Sequence, residues 1–520
     1  MVVAIVLLAA ACGTRLPDSA FQQRTSAANG TAASSGTGVG NSTDSGVLAG
    51  NAAAANGSGA GATSASGASG AGSTNGGGGA SGGAGGGGAG GGGAGGGGPG
   101  GPNIDSDIGV TPTSITIGNV TGINGFLGPE AFGTTLKGLE AFVAYTNAHG
   151  GVHGRKLILK SCDDQMDATA NLACTEKLVQ QDHVFGFIDN NSLSPAPSAK
   201  YEYQQGVPDL GLPLDNGYFK YPNMFSLYGS QDPRDGNQVG DHGLDWNDTS
   251  VYRFFRQRVG ATKAAFFFYS QQTSLSTAKT FEQVAKADGF QIVYESGGSQ
   301  GENIAGATWD TDVQTMKGTG ADIIFDFVDI NANQKICAAL DRYGVTPQIK
   351  AKVTTVEGVS QHLVDPGAWS PGCRNIIYGS GRTDAYSDTG NPAVKQFVDA
   401  FNTYEKPQGA VMAQWSLDGW TVAQVLVDYL NQAGAAPTRK GFIQWLDSIQ
   451  PYTYDAHGLI SSSATWWGNA HHPITRKQCN AVAQWQDSAG TFVLRSADGG
   501  SPFYCAVVGE VSSPYADDGS

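Results

Sequence analysis

Ser114-Ile115-Thr116-Ile117-Gly118, then Phe132 to Ala148, then Lys156-Leu157-Ile158-Leu159-Lys160 are the segments that decide the fold. The first and third are short apolar runs of the kind that form strands. The middle segment carries Leu136, Leu139, Phe142, Val143 and Tyr145 at helical spacing and ends at Gly150-Gly151. That pattern predicts a helix. Strand, helix and apolar strand in this order imply a parallel sheet covered on both faces.

The alternation continues outward from there. Ala168 to Gln181 reads as a helix, Val184 to Ile188 as a strand, Pro197 to Gln205 as a helix and Pro208 to Leu212 as a strand. A second series begins with the buried run Ala264 to Tyr269, followed by a helix over Ser274 to Asp288 and a strand over Gln291 to Tyr294. Asp310 to Lys317 and Asn331 to Tyr343 read as helices, with strands at Ala321 to Phe327, Ile349 to Val353 and Ile376 to Tyr378. Helices over Ala393 to Tyr404, Met412 to Ala433 and Arg439 to Asp447 precede strands near Ala481 to Gln486 and Thr491 to Leu494. The fold class expected is α/β, with two doubly wound lobes of mostly parallel strands and a ligand cleft between them.

The folded part, from about Asp105 to Asp518, spans roughly 410 residues, which exceeds a single core. Formal net charge is −15, and no Lys/Arg run occurs, which argues against nucleic acid as a partner. The folded part holds no G-x-S-x-G elbow, H-E-x-x-H, Walker A loop or strand-coupled G-x-G-x-x-G, so no enzyme chemistry is indicated. Cofactor and metal are both expected to be absent. The adjacent His471-His472 would face opposite ways on a strand and read as surface residues, and Cys162-Asp163-Asp164 reads as a strand end.

Ahead of the folded part lies a stretch with almost no apolar side chain larger than alanine, nearly pure glycine from Gly76 to Gly101. Such a chain cannot bury enough surface to offset its ordering entropy. Residues 13–104 are therefore expected to act as a tether, with an r.m.s. span of roughly 50 Å. Before it, Met1 to Ala11 is an apolar run ending in Ala9-Ala10-Ala11-Cys12. It is shorter than the ~20 residues that span a bilayer and suits the core of an export signal. The arrangement resembles the bacterial lipoprotein signal, which implies lipidation of Cys12 and an anchor on the outer face of the cytoplasmic membrane. Two features depart from it: Ala9 stands where leucine is usual, with Leu8 one place earlier, and no Lys or Arg precedes the run. Of seven cysteines, six remain after Cys12. An exported chain is oxidised, and Cys162 with Cys174, Cys337 with Cys373 and Cys479 with Cys505 is the simplest of the 15 possible pairings.

Gly150-Gly151-Val152-His153-Gly154-Arg155-Lys156-Leu157, Cys162-Asp163-Asp164 and Lys177-Leu178-Val179 resemble the first lobe of the branched-chain amino acid (Leu/Ile/Val) binding proteins. These are type I periplasmic solute-binding proteins of ABC importers. Val356-Glu357-Gly358-Val359 and Val482-Ala483-Gln484-Trp485 are similar to the family's second lobe. The resemblance implies three chain crossings between lobes that close on a ligand. Lobe 1 would comprise 105–232 and 382–458, lobe 2 would comprise 233–381 and 459–510, and 511–520 would be a tail.

The same resemblance implies the ligand contacts. Asn191 and Ser192 would begin a helix N-terminus that takes a ligand carboxylate. Leu214 and Asp215 would end the next strand, where Asp215 would repel a carboxylate. Phe132 would form an aromatic wall. On lobe 2, Glu357 would meet a ligand ammonium, while Ser274 and Asp329 stand where tyrosines are common. Asp215, Asp329 and Glu357 together would make an acidic cleft suited to a cationic or polyol-like ligand, provided the carboxylates find partners. The function expected is capture of a small polar solute, such as an amino acid or amide, by a monomer that delivers it to ABC permease subunits. A ligand sensor signalling to a membrane receptor and an exported enzyme are the alternatives.

Overall fold

The computed structural model describes residues 101–212, 218, 221–228, 234–235, 238–239, 244–247, 249–354, 369–449, 454–461, 477–507 and 509–512. All of them belong to one compact unit. Cys12, the glycine-rich stretch, Leu214, Asp215, Glu357 and His471-His472 lie outside the described residues.

Lobe 1 is built on strands β1 (Ser114–Thr121), β2 (Lys156–Asp163), β3 (Phe187–Ile188), β4 (Asp209–Gly211) and β5 (Met224–Ser226). They pair in the order β2-β1-β3-β4-β5, all parallel. Alternation along β1 sends Ile115 and Ile117 into the main core with Leu136 and Phe142, and Val120 into a second core with Leu178 and Phe187. Helices α1 (Pro129–Ala148), α2 (Ala168–Gln180) and α3 (Ala196–Gln205) follow their strands. The strand expected from Val184 is shorter in the structure, because the carbonyls of Val184 and Phe185 accept from the Arg439 guanidinium at 2.5 and 2.9 Å.

Short segments β6 (Arg234–Asp235), β7 (Gln238–Val239), β8 (Leu244–Asn247) and α4 (Ser250–Phe254) lead to lobe 2. Its sheet comprises β9 (Lys263–Phe268), β10 (Gln291–Glu295), β11 (Ile323–Phe327), β12 (Ala351–Thr354), β13 (Ile377–Gly381), β14 (Lys477–Gln486), β15 (Thr491–Leu494) and β16 (Tyr504–Val507). The strands from β10 to β13 are parallel, while β14 to β16 are antiparallel. Helices α5 (Gln272–Ala287), α6 (Asp310–Lys317), α7 (Ile330–Arg342) and α8 (Pro371–Arg374) belong to this lobe, and β17 (Gly509–Ser512) pairs with β8. A fully buried ion pair, Lys352 Nζ to Asp326 Oδ2 at 2.6 Å, ties β12 to β11.

After β13 the chain returns to lobe 1 as α9 (Pro392–Tyr404), α10 (Gln414–Ala433) and α11 (Arg439–Ser448), then crosses again to β14. The second and third crossings touch through the Thr383–Ile460 bridge and the Asp384 N–H to Leu459 carbonyl bond of 2.8 Å. Helices α1 and α10 lie so close that a Cβ on Gly138 would sit 1.7 Å from the Ser416 carbonyl oxygen. A Cβ on Gly419 would sit 2.2 Å from that of Thr135, so glycine is required at both contacts.

Disulfides join Cys162 to Cys174, Cys337 to Cys373 and Cys479 to Cys505, the sequential pairing. They tie β2 to α2, α7 to α8 and β14 to β16. Among the described residues no helix is long and apolar enough to cross a membrane.

Candidate functional site: the strand ends of the two lobes

In open parallel sheets, ligands bind beyond the carboxyl ends of the strands. On lobe 1 that edge is formed by the β1–α1 turn, the β2–α2 turn and the segment after β3. Asp163 shapes the first turn. Its carboxylate accepts from the backbone N–H of Ile123 at 2.8 Å, of Asn124 at 3.2 Å and of Gln165 at 3.0 Å, and from Asn124 Nδ2 at 2.7 Å. Burial opposes its ionisation, yet these donors hold Asp163 below the usual carboxylate range. Asp164 is buried beside it and accepts from the Met166 N–H and from Asn171 Nδ2, each at 2.9 Å.

Ser192 is buried at this edge, and its hydroxyl donates to Asp164. The Ser192 proton is thus committed within the protein. Asn191 differs: it is fully buried, and neither atom of its side-chain amide has a hydrogen-bond partner. Phe132 stacks on Trp415 with centroids 5.8 Å apart and planes 20° apart, and Met166 completes the cluster with Leu127 and Leu193 against it. Gly122 lies under these groups. A Cβ there would approach Met166 Cγ at 2.8 Å, Asp164 Oδ1 at 3.1 Å and Phe132 Cδ2 at 3.4 Å.

On lobe 2, Ser274 and Asp329 are both engaged. The Ser274 hydroxyl donates to the Phe327 carbonyl at 2.6 Å and accepts from the Tyr269 N–H at 2.9 Å, which fastens the ends of β9 and β11. Asp329 caps α7 by accepting from the Asn331 N–H at 2.8 Å, and its other oxygen accepts from the Tyr269 hydroxyl. Asp329 is thus held in place by two protein donors. Tyr269 in turn packs against Trp309 at 5.6 Å. Asn331 Nδ2 crosses to lobe 1 and donates to the Leu127 carbonyl at 3.0 Å.

Behind the lobe 1 edge lies a row of buried acids. Burial pushes Asp418 up to about 7 against the opposing hydroxyls of Thr383 and Tyr228. Burial likewise pushes Asp209 up to about 7, against donors that include Tyr218 and Asn190. Asp189 and Glu202 are also raised well above the usual carboxylate range, by burial first, with neighbouring carboxylates adding to it. Burial favours the protonated form of these groups, which belong to the scaffold.

The model of a family described as periplasmic binding protein matches residues 114–491, a span that takes in both sheets. The chain belongs to the periplasmic binding protein family. Members of this family bind solutes outside the cytoplasm and do not transform them, so this binding protein is not an enzyme. Its lobes also resemble solved structures of low sequence identity. The substrate-binding protein LivJ of Streptococcus pneumoniae, in complex with isoleucine, superposes with a TM-score of 0.56 at 15% identity, covering 74% of this chain and 100% of LivJ. A solute-binding protein of an ABC transporter from R. palustris, in complex with 4-hydroxybenzoate, gives 0.56 at 15% identity, covering 74% and 96%. An ABC transporter substrate-binding protein from Sphaerobacter thermophilus gives 0.58 at 15%, again covering 74% and 96%. These likenesses establish the type I fold of two hinged lobes. No curated protein matches the sequence.

Of the residues singled out from the sequence, the structure gathers Phe132, Asn191 and Ser192 at the lobe 1 edge, and Ser274 and Asp329 at the lobe 2 edge. Trp415, Tyr269, Trp309 and Asn331 were not assigned there. The signal for Trp415 is its place in the first turn of α10, a helix that runs parallel to α1 and so begins at the same edge.

Proposed function

We propose that this binding protein is the solute receptor of an ABC importer, held at the outer face of the cytoplasmic membrane by lipid on Cys12. Residues 13–104 would be the tether, with the lobe boundaries falling near 232, 381 and 458. The monomer captures a small polar organic solute between its lobes and presents the closed form to the permease. The observation that supports this most is the pair of mostly parallel sheets whose strand-end loops are bridged by Asn331 and Leu127. Among related folds, the solutes seen are an amino acid and an aromatic acid, so the fold accommodates both kinds.

Two measurements test this reading. A thermal-shift panel of amino acids, amides, polyamines, sugars and aromatic compounds should contain a solute that raises the melting temperature with concentration. Full-length protein should partition into the detergent phase of a Triton X-114 separation, whereas Cys12→Ala should remain in the aqueous phase. A protein that binds nothing in the panel would remove solute capture, and a wild type that stays aqueous would remove the anchor.

A further inference from the structure

The lobe 1 edge points to a class of solute, on the reading that this chain is a solute receptor. Asn191 forms a parallel bridge with Thr121, so the two side chains leave the same face of the sheet. On this face Ile115 and Ile117 meet α1 and α10. Both helices begin at this edge, and their first turns supply Phe132 and Trp415. The unpartnered amide and the stacked rings are therefore neighbours at one end of one sheet. A buried amide lacking partners is destabilising, which makes it a group that gains from a ligand.

The acceptor capacity of the acids at this edge is taken up by the protein itself. Asp163 and Asp164 are filled by protein donors, and the Ser192 hydroxyl is used on Asp164. The edge thus holds a buried pair of stacked rings and one buried amide able both to donate and to accept. The rings are covered by the Leu127 turn, whose carbonyl is held by Asn331 of lobe 2. Lobe opening would break that bond and free the turn over the rings.

We propose that the solute carries a planar aromatic ring bearing a neutral hydroxyl or carboxamide, the ring packed on Phe132 and Trp415 and the polar group bonded to the Asn191 amide. The selectivity is for ring surface plus a neutral polar group, and a small aliphatic zwitterion satisfies neither part.

The probe is 4-hydroxybenzamide, titrated into the full-length protein by calorimetry, with leucine as the aliphatic control. Saturable binding of 4-hydroxybenzamide is expected, weakened roughly tenfold in Trp415→Leu. Asn191→Leu is expected to abolish that binding while leaving the melting temperature of the solute-free protein equal or higher, since it removes an unpaired buried amide. A purely structural Asn191 would instead lower the melting temperature. Failure of 4-hydroxybenzamide to bind, or binding unchanged in Asn191→Leu, overturns the proposal. If leucine binds in that case, solute capture stands and only the ring class falls. Silence across the whole panel removes solute capture itself.

Discussion

The Tyr228 hydroxyl donates to Asp418 Oδ2 at 2.5 Å, which ties the first chain crossing to helix α10 of lobe 1. Thr383, on the second crossing, donates to the other oxygen of the same carboxyl. One buried acid thus holds two of the three segments that run between the two sheets.

That acid titrates near neutrality, and the sign of its effect follows. Asp418 sits at about 7 in the folded protein, above the ~3.9 of an unfolded chain. Its protonation stabilises the fold fully below about pH 4, and this contribution is lost as pH rises toward 7. Asp209, also at about 7, acts in the same direction. Thermal melts from pH 4 to pH 8 should show Asp418→Asn with a shallower loss of melting temperature on the alkaline side than wild type. Parallel curves would show that Asp418 is not the titrating group.

The bond from Asn331 to the Leu127 carbonyl belongs to the state in which the lobes touch. Asn331→Ala should weaken binding of any solute about two- to tenfold, the worth of one hydrogen bond of ~0.5–1.5 kcal/mol. The loss should lie in the dissociation rate, measured by stopped-flow fluorescence. An unchanged rate would mean that the contact does not hold the closed state.

Gly419 lets α10 pass against α1, and an added Cβ would meet both the Thr135 carbonyl oxygen at 2.2 Å and Asp189 Oδ2 at 2.8 Å. Gly419→Ala should therefore cost about 1–3 kcal/mol, read by urea denaturation. A neutral effect would show that the two helices can separate without penalty.

The Lys352–Asp326 pair is wholly buried in lobe 2. Burial lowers the lysine's pKa, and Asp326 offsets that only in part. Lys352→Met should destabilise by about 3–5 kcal/mol by removing the buried cation that faces the Asp326 carboxylate. Adding Asp326→Leu should recover most of that loss, and a double variant no better than the single one would refute the pairing argument.

Much of the fold was legible because each apolar run has the period of its element. The Leu136–Leu139–Phe142 stripe marks α1, and the run of phenylalanines before Tyr269 marks β9. Short strands such as Met224–Ser226 were not legible, because three residues carry no period and their pairing with β4 is set by tertiary contact. The site was legible in part. Asn191 and Ser192 follow a recognisable strand, but Asp329 read as a ligand acid. Its commitment to Tyr269 depends on β9 lying beside β11. Trp415 was invisible for the same reason, since its meeting with Phe132 rests on two helices far apart in the chain running parallel.

The central claim is closure of two lobes on a solute, and a distance between them tests it most directly. Spin labels at Asn124 on the lobe 1 turn and at Lys335 on α7 would report the gap by double electron–electron resonance. With a solute that raises the melting temperature, the distance distribution should shorten and narrow. A distribution unchanged at saturating solute would contradict closure.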